Sequence, residues 1–204
     1  MAVQSNLKNM ALVLTLTCLF CSAILGGAYA LTKDPIDKAV EAKTAKAIHA
    51  VLPDFDATSY ETVSVDGKNF NYYLAKKGSE TVGYAVESST SGFGGPLSLI
   101  VGITADGVVY NTSVLSHSET PGLGAKCTTD EKFTSQWKGL NPSEKILKVK
   151  QDNGDIDAIT ASTITSRAYT LAVQNALSVV SVITGANPDA TTGATTSKEE
   201  TSNE

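Results

Sequence analysis

The sequence predicts an α+β fold, an antiparallel sheet with packed helices that is preceded by one N-terminal transmembrane helix. Three observations support this prediction. A stretch of 22 residues without charge lies near the N-terminus at Met10–Leu31, short strand-like runs separated by glycine turns fill the middle of the chain, and a helical apolar pattern follows Thr163. The 42% hydrophobic composition is sufficient for the part after Leu31 to form one domain with its own core.

The segment Met10–Leu31 is long enough to be a membrane anchor in contact with lipid, since 22 helical residues extend about 33 Å. A cleaved signal peptide is the alternative, because Lys8 precedes the segment and Ala28-Tyr-Ala30 matches a cleavage site. We favour the anchor because the apolar run exceeds that of a usual signal peptide. Both interpretations place the domain outside the cytoplasm. Lys8 before the segment agrees with this orientation, because cytoplasmic flanks carry more positive charge, whereas Lys33 and Lys38 after it oppose it. The predicted organisation is a short cytoplasmic N-terminus, an anchor in the inner (cytoplasmic) membrane, an extracytoplasmic domain and a disordered polar tail, at residues 1–9, 10–31, 32–186 and 187–204.

Beyond the anchor, Thr32-Lys-Asp-Pro35 predicts the start of a new helix that ends before Pro53. Strand patterns bounded by Asp-Gly or Gly turns follow at Thr58–Val65, Asn69–Ala75, Thr81–Ser88, Leu97–Thr104 and Val108–Leu115. The rest of the chain predicts a short helix around Asp130–Trp137, a strand at Lys145–Val149 that leads to Ile156–Ile159, and a final helix at Thr163–Ile183. Consecutive strands with tight turns indicate an antiparallel sheet.

A cluster of hydroxyl side chains lies directly before the final helix, in the run from Asp157 to Ser166. The five hydroxyls belong to Thr160, Ser162, Thr163, Thr165 and Ser166. A helix start favours Ser or Thr as a cap, and its free N–H groups and dipole attract a phosphate. Because capping needs only one or two hydroxyls, the cluster favours a phosphate site over a cap alone.

A similar run, Asp189-Ala-Thr-Thr-Gly-Ala-Thr195, lies in the polar C-terminal tail. No apolar helical pattern follows Thr195, whereas Thr163 opens a helix with one apolar face. We therefore favour Thr163 as the functional position, and modification at both positions stays open.

Two glycine-rich loops adjoin the fourth and fifth predicted strands. They are Ser91-Gly-Phe-Gly-Gly-Pro96 and Ser116-His-Ser-Glu-Thr-Pro-Gly-Leu-Gly124. Plain turns are the simplest interpretation. Neither loop is a Walker or Rossmann phosphate loop, because the required lysine or the strand–turn–helix context is absent from the sequence pattern.

The two glycine-rich loops and the hydroxyl run before the final helix, in their order along the chain, resemble the FMN-binding domain family. This domain is found in the G subunit of the Rnf electron-transport complex and in the C subunit of the sodium-pumping NADH:quinone reductase. In that family an Asp-x-x-Ser/Thr-Gly-Ala-Thr motif precedes a helix, and Asp157, Thr160 and Thr163 match it. The resemblance implies that Thr163 carries FMN through a phosphoester, which a separate flavin transferase forms from FAD. Ala161-Ser162 stands where the family usually has Gly-Ala, so the tight turn gains a Cβ. The tail run Asp189–Thr195 matches the motif at every position, more closely than the run before the helix.

The resemblance further implies an electron-relay subunit of a membrane-bound ion-translocating oxidoreductase, linked to ferredoxin and NAD and working with other subunits of the complex. No independent catalytic site is expected, since the redox step belongs to FMN. The expected cofactor-binding residues are those of the three motifs: Asp157, Thr160, Ser162, Thr163, Thr165, Ser166, Glu119, Thr120, Gly122, Leu123, Gly124, Gly94 and Gly95. In the family the second loop lies by the flavin.

Three alternatives stay open from the sequence. They are a component similar to the C subunit of a Na⁺-translocating NADH:quinone reductase, a free-standing extracytoplasmic flavin carrier, and a non-redox exported binding domain in which the Thr163 turn is only a cap. A nucleic-acid partner is not expected, because the net charge is −5 and no basic stripe is visible. Cys18 and Cys21 lie within the apolar segment and Cys127 stands alone after it, so we expect no role for these thiols.

Overall fold

The computed structural model describes residues 7–185, and the tail motif at Thr195 lies outside them. The chain divides into two compact units, one up to Thr44 and one from Ala45 onward. The helices are α1 (Leu7–Val51), α2 (Glu131–Ser135) and α3 (Thr163–Thr184), and the strands are β1 (Ala57–Val65), β2 (Lys68–Lys77), β3 (Glu80–Ser91), β4 (Pro96–Thr104) and β5 (Val109–His117). Two short 3₁₀ helices lie at Gly124–Thr128 and Lys150–Asp152.

Helix α1 is the one helix among residues 7–185 whose length and composition suit a membrane crossing, and none of its apolar window is buried in protein. The prediction of a separate helix starting at Thr32–Pro35 is wrong, because α1 continues through Pro35. The Thr32 hydroxyl donates backward to the Ala28 carbonyl at 2.8 Å, a bond typical of a helix interior rather than of a cap. Pro35 lies inside this helix, where it lacks the N–H for one backbone hydrogen bond and its ring crowds the preceding turn.

The sheet has five antiparallel strands in the order β1-β2-β3-β4-β5, so each strand pairs with its neighbour in the chain. All five predicted strands are present, with ends that differ by up to three residues. The first hairpin shows why the turn signal was reliable. Asp66 and Gly67 have φ values of 51° and 72°, and positive φ at both central residues is the requirement of a type I′ turn.

Helix α3 packs on one face of the sheet and forms the main core with it. Tyr169 stacks on Trp137 with 5.1 Å between ring centroids, and its hydroxyl lies 2.7 Å from that of Thr112 on β5. The Thr90 hydroxyl on β3 donates to the Ala168 carbonyl at 2.9 Å. These contacts fix both the rotation and the height of α3 against the strands.

The last turns of α1 pack on the opposite face of the sheet, where Ile48, Val51 and Leu52 are buried. Gly102 on β4 allows the closest contact, because a Cβ there would overlap the carbonyl oxygen of Val51. Asn111 on β5 donates from its side-chain amide to the Ala50 carbonyl at 2.9 Å. The sheet thereby satisfies one of the C-terminal carbonyls of α1, which lack partners within the helix.

The segment between α2 and α3 departs from the prediction. Lys145–Val149 does not form a strand, and Val149 makes only an isolated parallel bridge with Ile156. The backbone there is satisfied locally instead, since the Asp155 carboxylate accepts a hydrogen bond from the Ile146 N–H at 2.7 Å. The helix predicted around Asp130–Trp137 is shorter and spans Glu131–Ser135. Asp130 is its N-cap and accepts from the Lys132 N–H at 3.0 Å.

Candidate functional site

A pocket of about 370 Å³ opens where the two glycine-rich loops meet the start of α3. Seven of the residues predicted for the site line it: Glu119, Thr120, Leu123, Gly124, Ser162, Thr163 and Thr165. Six predicted residues do not line it: Gly94, Gly95, Gly122, Asp157, Thr160 and Ser166. A larger cavity of about 450 Å³ lies near Asp106, Asn141 and the last turn of α3, but it contains none of the predicted residues.

The turn before α3 presents the helix start to this pocket. The Ser162 N–H donates to the Ile159 carbonyl at 3.0 Å, and the first helical bond runs from the Ser166 N–H to the Ser162 carbonyl at 3.0 Å. The N–H groups of Thr163 and the two residues after it therefore precede the helical hydrogen-bond ladder. Such groups, at the positive end of a 22-residue helix, favour an anion.

The hydroxyls of this turn have different environments. Ser166 is buried, accepts from the Ile159 N–H at 2.9 Å and donates to the Ser162 carbonyl at 3.0 Å. Thr165 is buried and donates to Glu119 at 2.8 Å. Thr160 is exposed but lies outside the pocket lining. Only Thr163 is half-buried, lines the pocket and has a hydroxyl with no hydrogen bond to any residue in 7–185.

None of these hydroxyls caps α3. The N-cap position is Ser162, and its side chain accepts no capping hydrogen bond. The capping role expected for one or two hydroxyls is therefore wrong. Ser162 has φ −139° and ψ 44° and makes no capping bond from this conformation, while the Thr165 hydroxyl bonds to Glu119 and the Ser166 hydroxyl bonds within the turn.

Asp157 is held in place by its neighbours and does not line the pocket. Its carboxylate pairs with the Lys150 ammonium at 2.8 Å, and that hydrogen bond lowers the pKa of Asp157. Gln136 fixes its backbone from both sides, since the side-chain amide donates to the Asp157 carbonyl at 3.1 Å and accepts from its N–H at 2.9 Å. Sequence reasoning missed Gln136, because nothing in the pattern links it to a residue 21 positions later.

Three exposed apolar side chains surround the pocket. Phe93 is 70% exposed, Ile164 49% and Leu123 44%. Sequence reasoning named only Leu123, although Phe93 is the one large apolar residue in its glycine-rich loop. Apolar side chains around a concave site, next to a helix N-terminus, suit a planar aromatic ligand that carries a phosphate.

Ala161 has a positive φ of 61°, a conformation that disfavours a residue with a Cβ. We expect Ala161→Gly to stabilise the protein by about 0.5–1 kcal/mol, because relief of this strain exceeds the added entropy of the unfolded chain. Urea unfolding of the full-length protein in detergent would measure the change. Ala158→Gly is the matched control, because Ala158 lacks a positive φ and its substitution should destabilise. A loss of stability with Ala161→Gly would contradict the proposed strain.

Comparison with known proteins places the whole pocket within a recognised sequence family. Residues 92–178 match the FMN-binding domain family. The G subunit of the proton-translocating ferredoxin:NAD⁺ oxidoreductase complex from Clostridium ljungdahlii is 35% identical over 183 residues, which cover 89% of this chain and 96% of that protein. The G subunit of the ion-translocating oxidoreductase complex from Shewanella baltica is 32% identical over 186 residues, 84% of this chain and 87% of that protein.

A solved structure is also similar, that of the C subunit of the Na⁺-translocating NADH-quinone reductase from Parabacteroides distasonis. It has a TM-score of 0.41 and 23% sequence identity, and the match covers 54% of this chain and 60% of that one.

Proposed function

Because this chain belongs to the family of G subunits of ion-translocating oxidoreductase complexes, we propose that it carries FMN in an Rnf-type complex that connects ferredoxin and NAD. One observation carries the proposal: the unbonded Thr163 hydroxyl and the start of α3 face a pocket with an apolar rim, inside the stretch that matches the FMN-binding family. The matches favour this function over the quinone-reductase subunit and over a non-redox binding domain.

The pocket residues fit FMN by chemistry. The free N–H groups at the start of α3 suit its phosphate, while Phe93, Leu123 and Ile164 offer apolar surface to an aromatic ring system. FMN, when bound, supplies the acceptance and release of electrons, and the protein supplies orientation and partial exclusion of water. The remaining partners in this proposal are the other subunits of the complex, the membrane lipid around α1 and the transferase that loads the flavin.

We place the covalent link on Thr163 by comparing the five hydroxyls. Thr165 and Ser166 are buried and hydrogen-bonded, Ser162 is buried, and Thr160 lies outside the pocket lining. In the proposed step the Thr163 oxygen bonds to the flavin-side phosphorus of FAD. The phosphoanhydride bond breaks, AMP leaves with the bonding electron pair, and the hydroxyl proton is released. FAD is the co-reactant that the transferase brings.

The proposal is tested by denaturation after co-expression with a flavin transferase. We expect the purified chain to stay yellow and fluorescent when unfolded, with an intact mass raised by one FMN less one water. A colourless chain of unmodified mass would contradict covalent loading. If the protein is yellow but loses its flavin on denaturation, FMN binding would be supported and only the phosphoester refuted.

We also expect α1 to remain as an anchor that places the domain outside the cytoplasm. The Ala28-Tyr-Ala30 sequence lies inside a continuous helix rather than in an exposed loop, where proteolysis concentrates. N-terminal sequencing of membrane-extracted protein should therefore find Met10–Leu31 intact, and a reporter that is active only outside the cytoplasm should work when fused after Glu204. A mature protein that starts at Leu31 in the soluble extracytoplasmic fraction would contradict the anchor.

A further inference from the structure

We propose that Glu119 is a positioning residue, a buried carboxylate that holds both glycine-rich loops and the first turn of α3 together as the walls of the pocket. Its effect on a flavin rests on the proposed function, whereas its effect on the walls is a property of the protein alone. Glu119 is 5% exposed, although it lies in a loop and lines the pocket. Carboxylates are rarely buried without partners, so its contacts require an explanation.

The contacts come from three separate segments. Glu119 accepts from the Phe93 N–H at 2.9 Å, from the Gly94 N–H at 3.4 Å and from the Thr165 hydroxyl at 2.8 Å. Its own N–H donates to the His117 ring at 3.3 Å, which fixes its direction within the loop. The N–H groups of Phe93 and Gly94 therefore point toward Glu119, and the first loop binds its carboxylate. Sequence reasoning expected such groups to bind the flavin, and it expected Glu119 to contact the flavin as a loop residue.

The glycines around Glu119 make room for the carboxylate. A Cβ at Gly92 would overlap one of its oxygens, and a Cβ at Gly124 would overlap the other and lie 2.7 Å from the Thr165 hydroxyl. Neither glycine has the positive φ that would require glycine for a turn. Glycine is therefore required at both positions by the space that Glu119 occupies, and not by the turn conformation.

The carboxylate has no salt bridge among residues 7–185, where the ion pairs are Lys150–Asp157 and Arg167–Asp152. Neutral donors alone satisfy it, so its charge is not cancelled by a neighbouring cation. The charge of Glu119 also acts on a buried thiol of the core. The pKa of Cys127 is raised to about 11, first by burial and second by this charge. A negative charge on the pocket wall should oppose electron uptake by a bound cofactor.

The first experiment uses the protein without flavin. Glu119→Gln keeps the side-chain shape but replaces one acceptor oxygen by an NH₂ group, which then faces N–H or O–H donors. We expect amide hydrogen exchange at Phe93 and Gly94 to become about 10-fold to 100-fold faster. Thr165→Val removes a single donor and is the milder variant, with faster exchange of the Ser166 amide and unchanged exchange at Phe93. Glu80→Gln is the charge-matched control, because Glu80 is exposed at the start of β3, and it should change none of these amides.

The second experiment uses the flavin-loaded full-length chain. We expect Glu119→Gln to retain the flavin mass adduct, to lower the fluorescence anisotropy of the flavin, and to move its midpoint potential to a more positive value than in the wild type and in Glu80→Gln. Glu119→Asp, which keeps the charge on a shorter side chain, should restore the potential more fully than the anisotropy. A merely structural role would not separate these two readouts.

The outcomes separate the two ideas. Unchanged exchange at Phe93 and Gly94 in Glu119→Gln would overturn the positioning role, whether or not the protein carries flavin. If the wild-type chain never acquires flavin, the proposed function is refuted. Faster exchange in Glu119→Gln would still support the role of Glu119 in the walls. Loaded Glu119→Gln with faster exchange but wild-type anisotropy and potential would support the role in the walls and refute the effect of Glu119 on the flavin. If Glu119→Gln fails to fold, unchanged exchange of the Ser166 amide in Thr165→Val would overturn the positioning role.

Discussion

Thr163→Ala is expected to abolish the covalent flavin adduct at the domain site completely while leaving the fold intact. A phosphoester requires the hydroxyl oxygen, and the hydroxyls nearest to it in the chain are buried in the protein. Stability should change by no more than about 0.5 kcal/mol, because Thr163 is half-buried and its hydroxyl makes no hydrogen bond within residues 7–185. Intact mass and in-gel flavin fluorescence measure the adduct, and urea unfolding measures the stability.

Two controls sharpen this result. Thr163→Ser keeps a hydroxyl but loses the methyl group that restricts its rotamer, so partial loading is expected. Thr195→Ala removes the hydroxyl of the similar tail motif and should leave the main adduct intact. Peptide mapping that found FMN on Thr195 alone would contradict the assignment and make the tail the carrier.

Gly102→Ala is expected to cost about 3 kcal/mol or more of stability, although it adds a single methyl group. The added Cβ would overlap the Val51 carbonyl oxygen, a backbone atom that cannot rotate away. To relieve the overlap, the end of α1 would have to leave the sheet, which would expose Val51 and Leu52 and break the Asn111 bond to Ala50. Chemical denaturation of the full-length protein measures the loss.

Gly107→Ala is the control for the general cost of replacing glycine. A Cβ there would meet no atom within 4 Å. The cost is therefore only the backbone strain of its positive φ of 81°, about 1 kcal/mol. Equal losses in the two variants would show that the contact between Gly102 and Val51 is unimportant.

The sheet was predictable because its signals are local. Asp66-Gly67 and Asp106-Gly107 mark hairpin turns within a few residues, and alternating side chains between them define strands whatever the rest of the chain does. Local rules failed where two signals competed. Thr32-Lys-Asp-Pro35 has the residues of a helix start, but the apolar helix before it continues. The short apolar run at Lys145–Val149 has the pattern of a strand, but its backbone bonds to the nearby Asp155 and Ile156 instead of joining the sheet.

The site was predictable only as motifs in order along the chain. Phosphate-binding character at Thr163 and a nearby glycine-rich loop could be argued from residue types. The directions of side chains could not, because they depend on partners far apart in sequence. Glu119 meets Phe93 26 residues earlier and Thr165 46 residues later, and Gln136 meets Asp157 21 residues later. Ala161 was identified as a departure from glycine, but its positive φ emerges only from the folded turn.

The meander order of the strands bears on when the proposed attachment site is completed during folding. Every strand pairs with the one before it, so the sheet is built from local contacts that form early and need no later part of the chain. Thr163 and α3 follow all five strands, and α3 must dock on the finished sheet before Thr165 can reach Glu119. As the chain emerges from its N-terminus, two walls of the pocket can therefore exist before the third. A flavin transferase that requires the whole pocket would meet its substrate only after folding, whereas one that reads the linear motif could act on the nascent chain.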